Sequence, residues 1–166
     1  MADEATIRPA ERGDIDGIQR VARRAWGGAY GGVLPEDALD EMLAVHYSDE
    51  VLGRTIASSK RSLFVAEDDG TIVGYASGGP SDIDVEGELS IYLDPDWWGQ
   101  GLGKRLLDCV AESLAEQDVE RIEEKVLDEN EVGNAFYEKH FDRVGREEIE
   151  IGGTTWTANV YRTEIA

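Results

Sequence analysis

A chain of 166 residues with 36 Asp and Glu against 16 Lys and Arg has a formal charge of −20, and without a basic run to neutralise phosphates it is not expected to bind nucleic acid. Its 41% hydrophobic content suits a single domain over 1–166 with a proper core, while no apolar run reaches the length of a membrane span. The acidic start, Met1-Ala2-Asp3-Glu4-Ala5, is unlike a secretory signal, and the single Cys109 permits neither an internal disulfide nor a thiol metal cluster, so a cytoplasmic protein is expected.

In chain order, Thr6 to Pro9 reads as a short strand and Ala10 to Tyr30 as a helix, with Ile15, Ile18, Val21, Ala22, Ala25 and Trp26 on its apolar face. Gly27-Gly28 and Gly31-Gly32 break the pattern. Pro35 opens a second helix with Leu39, Met42, Leu43 and His46 on one side, and a short helix covers Asp49 to Ser58. Ser62 to Glu67 is a strand, Asp68-Asp69-Gly70 a hairpin turn, and Thr71 to Ala76 the partner strand. Gly78-Gly79-Pro80-Ser81-Asp82 reads as a loop. A central strand and a helix to about Gln117 follow, then a strand over Arg121 to Leu127 and a helix over Asn130 to His140. Phe141 to Ile151 and Thr155 to Thr163 form a closing hairpin around Gly152-Gly153. Tight turns predict antiparallel pairing, and the intervening helix predicts one parallel step between the fourth and fifth strands. The fold class is α/β: a mixed, mostly antiparallel sheet of six to seven strands with helices on both faces.

The most informative stretch is 88–107. Leu89, Ile91 and Leu93 alternate with Glu88, Ser90 and Tyr92, the period of a strand with one buried face. Asp94-Pro95-Asp96 stops it, since proline cannot donate to a ladder. Gly99, Gly101 and Gly103 come next, and Leu102, Leu106, Leu107 and Val110 then recur at helical spacing. A helix start leaves backbone N–H groups unpaired, and its dipole favours negative charge. Glycines let an anion come close, so the turn is a candidate cradle for a phosphate or pyrophosphate, with Lys104 and Arg105 beside it. The dinucleotide fingerprint fails here, because Lys104 and Leu106 stand where its third glycine belongs. The P-loop fails as well, because Trp98 and Arg105 occupy its first and last positions.

Strand, Asp-Pro, aromatic pair and Trp98-Gly99-Gln100-Gly101-Leu102-Gly103-Lys104-Arg105 resemble the acyl-CoA-binding motif of the GNAT superfamily of N-acetyltransferases. Tryptophan at 98 departs from that family's usual arginine or glutamine. A second stretch, Asn130-Glu131-Val132-Gly133-Asn134-Ala135-Phe136-Tyr137-Glu138-Lys139, resembles the family's Asn-x-x-Ala-x-x-Phe-Tyr-Glu-Lys, although the glycine that usually follows is absent at His140-Phe141. The resemblance implies acetyl-CoA as co-substrate, its diphosphate on the amides of the glycine loop. In that family the preceding strand carries a bulge and splays from its neighbour, which would leave Ile91, Tyr92 and Leu93 to meet the pantetheine arm. It further implies a cofactor contact from Asn130 and a Tyr137 hydroxyl that protonates the departing thiolate, as a phenol of ordinary pKa near 10 can. Read from the residues alone, Asn130 is a helix cap and Tyr137 an amphipathic core residue.

The base is open between Glu88 and Glu86, each also readable as a solvated acid. Trp26 and Tyr30, four apart beside flexible glycines, could wall the acceptor amine or simply pack together. Cys109 falls in an apolar stripe and reads as a buried hydrophobe, so direct attack without a covalent intermediate is expected. His46 and His140 have no ligand-like partners, and no metal is expected. The acceptor is a small amine, a protein N-terminus or a lysine, and a homodimer is left open. The alternative is an acyl-CoA-binding or regulatory module without catalysis. Only four basic residues are lysines (60, 104, 125 and 139). This acidic, lysine-poor composition resembles halophilic proteins of salt-accumulating archaea, where screening shrinks to ~3 Å at 1 M salt. The rival reading is attraction of a cationic acceptor.

Overall fold

The computed structural model describes residues 5–81, 85–151 and 153–165. Met1 to Glu4, Asp82 of the expected loop and Gly152 of the expected hairpin turn lie outside the described residues. In chain order the elements are β1 (Thr6–Pro9), α1 (Ile15–Tyr30), α2 (Glu36–His46), α3 (Asp49–Ala57), β2 (Ser62–Asp68), β3 (Thr71–Pro80), β4 (Glu86–Leu93), α4 (Leu102–Ala115), β5 (Arg121–Leu127), α5 (Glu131–His140), β6 (Asp142–Ile151) and β7 (Thr154–Glu164). The strands form one seven-stranded sheet ordered β1-β2-β3-β4-β5-β7-β6. Every pairing is antiparallel except β4 with β5.

Two boundaries differ most from expectation. The first helix starts only at Ile15, because Arg12–Asp14 winds as a 3-10 turn. There the Asp14 carboxylate accepts from the Glu11 amide at 2.8 Å and from the Arg8 guanidinium at 2.8 and 2.9 Å, which closes the turn. The expected loop at 78–80 is strand. Gly78, Gly79 and Pro80 pair with Leu89, Glu88 and Gly87, so the neighbouring strand overrides the weak intrinsic preference of Gly-Gly-Pro. Proline is tolerated because it ends the strand.

The sheet buries two faces. On one, Leu102, Leu106, Val110 and Leu114 of α4 pack on Ala76 and Leu89, and the cluster continues into Tyr137 and Phe141 of α5. On the other, Ile18, Val21 and Ala22 of α1, Leu43 of α2 and Leu52 of α3 cover Leu63, Val65 and Tyr75. The alternation of β4 follows from this. Leu89, Ile91 and Leu93 join the α4 side, while Tyr92 joins the α1 side.

A buried polar knot fixes α5. The Asn134 side-chain amide donates at 2.9 Å to the carbonyls of Leu127 and Asn130. Its oxygen accepts from the Tyr161 hydroxyl at 2.6 Å and from Asn159 Nδ2 at 2.9 Å. One side chain therefore ties α5 to the end of β5 and the middle of β7, and Tyr137 stacks on Tyr161 with centroids 5.6 Å apart. Asn134→Ala strands several buried groups at once. It is expected to cost about 2–4 kcal/mol, read as a lower denaturant midpoint at unchanged slope.

Candidate active site

The parallel ladder between β4 and β5 has two register pairs, Glu86 with Arg121 and Gly87 with Ile122. Beyond them the strands part. β4 stays in unbroken register with β3 from Pro80–Gly87 to Gly74–Leu93, so the opening arises by divergence and not from a bulge in β4. Strand backbone groups alternate sides with period two. The Leu89 amide faces the Glu124 carboxylate, and the Leu93 carbonyl accepts from the Trp98 indole at 3.1 Å. Ile91, midway between them, therefore turns its N–H and C=O into the opening.

A cleft occupies this gap, lined by Ile91, Tyr92, Leu93, Trp98, Gly103 and Tyr137 among others. At its mouth the chain turns into α4. Gly99 and Gly101 have φ of +75° and +88°, a left-handed backbone that glycine adopts without strain. The first bond into the helix runs from the Arg105 amide to the Gly101 carbonyl, and among the described residues no backbone carbonyl accepts from the amides of Gly99 to Lys104. These amides, at the positive end of a helix dipole, suit an anionic group. The glycine spacing is thus matched by a left-handed turn whose amides have no backbone partner.

The side chains of that loop are otherwise employed. Gln100 donates to the Asp96 carbonyl at 2.9 Å, Lys104 pairs with Asp108 one helical turn on, and Arg105 donates to the Ala5 carbonyl at 3.0 Å. Leu102 is fully buried in the core. Trp98 packs against α1, where a Cβ on Gly28 would stand 2.8 Å from the indole ring. Gly28 thus lets the loop before α4 and α1 close on each other.

A second cleft lies on the α1–α2 side, lined by Trp26, Met42, His46, Tyr47, Tyr75 and Ile149 among others. Tyr30, Ser90, Tyr92, Glu124 and Lys125 line both clefts, so the two meet where β4 and β5 part. Trp26 is sandwiched between Tyr30 at 5.2 Å and Tyr92 at 5.3 Å. Tyr30 is buried, and its hydroxyl accepts from Asn130 Nδ2 at 3.0 Å. Asn130 caps α5 through its oxygen, which accepts from the Gly133 amide at 2.8 Å. Asn130 thus caps α5 and also lines the first cleft.

Of the acids, Glu88 and Glu86 are each paired with an arginine. Glu88 is exposed and pairs with Arg61 at 3.5 Å, whereas Glu86 is buried against Arg121 at 3.4 Å. Neither lines either cleft. Sequence reasoning missed Glu124. It sits on β5 at the junction, where burial, with a smaller contribution from Glu88, pushes its carboxyl up to about 8. Tyr137 is buried, and burial followed by the nearby Glu124 charge pushes its hydroxyl well above the usual phenol range. Among the described residues nothing hydrogen-bonds that hydroxyl. At position 124, the signal available in advance was only an acid in the middle of a strand, the fourth of its seven residues. Among the described residues no group of three metal-ligating side chains converges, and no described helix is long and apolar enough to cross a membrane. Cys109 is half-buried, and burial raises its thiol pKa, which argues against a nucleophile.

Comparison with known proteins bears on this geometry. Residues 21–142 match the model of the acetyltransferase (GNAT) family. An uncharacterized N-acetyltransferase of Bacillus subtilis strain 168, YuaI, is 31% identical over 154 residues, covering 89% of this chain and 86% of its own. The PaiA N-acetyltransferase of Thermoplasma acidophilum, solved in complex with coenzyme A, superposes with a TM-score of 0.82 at 24% identity, over 96% of this chain and 98% of its own. A putative acetyltransferase of Salmonella typhimurium, yncA, solved with acetyl-CoA, gives 0.68 at 20% identity over 98% and 95%.

The raised Glu124 pKa has a consequence for stability. Between its ordinary value of 4.5 and about 8 the folded protein holds a proton that the unfolded chain releases. Stability is therefore lost as pH rises through that window. Glu124→Gln is expected to remove this dependence and to be more stable than the parent at pH 9 by about 2–4 kcal/mol. Urea unfolding of both proteins from pH 5 to 9 measures it.

Proposed function

The chain belongs to the GNAT acetyltransferase family, and from that premise we propose that it moves the acetyl group of acetyl-CoA to a primary amine by direct attack within a ternary complex. The observation that carries this reading is the junction itself. Two clefts enter one opening in the sheet from opposite sides, with a carboxyl of raised pKa and a buried phenol lining it.

The residues divide the work as follows. The free amides of Gly99 to Lys104 receive the diphosphate of CoA. The backbone of Ile91 pairs with the pantetheine arm, and its N–H lies where a thioester oxygen gains negative charge as the reaction proceeds. Trp98, in place of the family's arginine or glutamine, takes the Leu93 carbonyl for itself, so less of β4 is left for the arm than the Ile91–Leu93 stretch expected from sequence.

An ammonium group cannot attack, so Glu124 takes one proton from it. The neutral amine then forms the C–N bond as the C–S bond breaks. Tyr137 donates its proton to the leaving thiolate and recovers one from the nitrogen, so that one proton is released overall. Both pKa shifts serve these roles. A carboxyl at about 8 is a stronger base than an ordinary one and is populated in mildly alkaline solution. A phenol raised above its usual range remains protonated until the thiolate appears. Glu124 replaces Glu88 and Glu86 as the proposed base, because only Glu124 reaches both clefts.

Tyr137→Phe is expected to lower kcat about 10- to 1,000-fold while the KM for acetyl-CoA stays within about twofold. A non-catalytic CoA-binding module predicts no turnover in the parent and no difference on substitution. For the parent, kcat/KM is expected to climb with pH and level off near the pKa of about 8. In Glu124→Gln that limb disappears, with activity down about 100-fold. Steady-state CoA release with thiol detection follows both.

A further inference from the structure

The acidity of the chain does not extend into its second cleft. Acids outnumber lysines and arginines 36 to 16 over the sequence. Yet among the described lining residues Glu124 is the one acid, set against Arg61, Lys125 and His46. A ligand with several ammonium groups would find a carboxylate for the first and cations, not carboxylates, for the rest. The excess of acids lies outside the cleft, where it does not draw a polycation in.

A glycine brings Arg61 to this wall. Gly79 of β3 pairs with Glu88 of β4, and Ser77 pairs with Ser90 two residues along. A Cβ on Gly79 would stand 2.9 Å from Arg61 Cγ and 3.0 Å from its Nη1. The arginine therefore crosses β3 where no side chain blocks it, and its guanidinium reaches β4. Its contact there is a single one, from Nη1 to Glu88 at 3.5 Å, between side chains that are 38% and 60% exposed. Such a pair holds little energy, and Nε and Nη2 make no hydrogen bond among the described residues. Lys125 pairs with Glu147 at 2.9 Å and adds its charge from the β5 side. Ser90 is exposed although its strand is central in the sheet, and it lines both clefts. Ser77 lines the second cleft beside it, and neither serine hydroxyl is hydrogen-bonded among the described residues. Beyond Glu124 this wall thus offers two hydroxyls and a guanidinium, which are donors for an anionic group.

We propose that the acceptor is an amino acid in the broad sense, a small molecule with one primary amine and one carboxylate. The amine lies at Glu124, and the carboxylate accepts from the Arg61 guanidinium with the Ser77 and Ser90 hydroxyls beside it. This rests on the acetyl-transfer reading above and narrows it. A guanidinium meets a planar carboxylate through parallel N–H groups, which fixes direction as well as charge. Two points of opposite sign also orient the molecule, because the reverse placement sets carboxylate against Glu124 and ammonium against Arg61. A polyamine meets like charge at Arg61, and an amine with a neutral tail leaves the donors of Arg61 to water.

The test is CoA release from acetyl-CoA with 5-aminopentanoate, 5-aminopentanamide and 1,5-diaminopentane, which differ only in the far group, and with alanine and alaninamide for a shorter spacing. The better of the two carboxylates is expected to exceed its own amide in kcat/KM about 10-fold or more, and to exceed the diamine. In Arg61→Gln that carboxylate-to-amide ratio is expected to fall to near one. Gly79→Ala keeps every charge and displaces only Arg61, and the ratio is expected to fall there as well. Thermal shift with acetyl-CoA checks that both variants are folded, and if Arg61→Gln is not, Gly79→Ala decides alone. The diamine or an amide as best substrate, or a ratio unmoved by Arg61→Gln, overturns the acceptor class while leaving acetyl transfer intact. Acetyl-CoA binding by thermal shift with no CoA release from any of these amines overturns the acceptor class alone. No thermal shift with acetyl-CoA overturns the transfer reading and this inference with it.

Discussion

The central constraint is that β4 and β5 pair as parallel strands for only two residue pairs and then separate. A parallel ladder that ran on would consume the N–H and C=O groups of Ile91 and seal the sheet. Because it stops, a strand in the middle of a seven-stranded sheet has an edge, and that edge faces a cleft instead of solvent. Exposed strand edges are normally a liability. Here Trp98 and Glu124 cover part of the edge, at Leu93 and Leu89, and the stretch between them stays open to the cleft.

Keeping two strands apart requires something to hold each of them. β4 is held by its full antiparallel register with β3 and by the apolar seat that α4 provides for Leu89. β5 is held by antiparallel pairing with β7 along its whole length. Beside the far end of β5 lies α5, and its position depends on Asn134, whose four best bonds join β5, α5 and β7. The same helix presents Tyr137 to the opening and Asn130 to Tyr30 of α1. Fold stability and site geometry are therefore linked through one short helix.

Around the opening the electrostatics are unusual for so acidic a chain. Most acids lie at the surface, where some of them pair with the few basic residues. Glu124 is set apart by its burial near Tyr30, Tyr92 and Tyr137, with the charges of Glu88 and Lys125 as smaller influences. Desolvation disfavours its ionised form, the opposite of what a salt-bridged surface acid experiences. The difference between 4.5 and about 8 is thus a product of position and not of residue type.

Much of this was legible in the sequence because it depends on local pattern. Alternation of Leu89, Ile91 and Leu93, the stop at Pro95 and the spacing of Gly99, Gly101 and Gly103 establish strand, turn and helix in order, and only glycine adopts φ near +80° without strain. The element order likewise determined the single parallel step, since an intervening helix leaves little other choice. What only the tertiary structure decided is which acid matters and how far the strands stay together. Glu86, Glu88 and Glu124 are chemically identical in the sequence. Their environments arise from contacts with Arg121, Arg61 and a ring of tyrosines brought from distant segments, and pKa depends on those neighbours. The length of the β4–β5 ladder was equally unreadable, because where two strands brought together from separate segments part is a tertiary matter that no local pattern encodes.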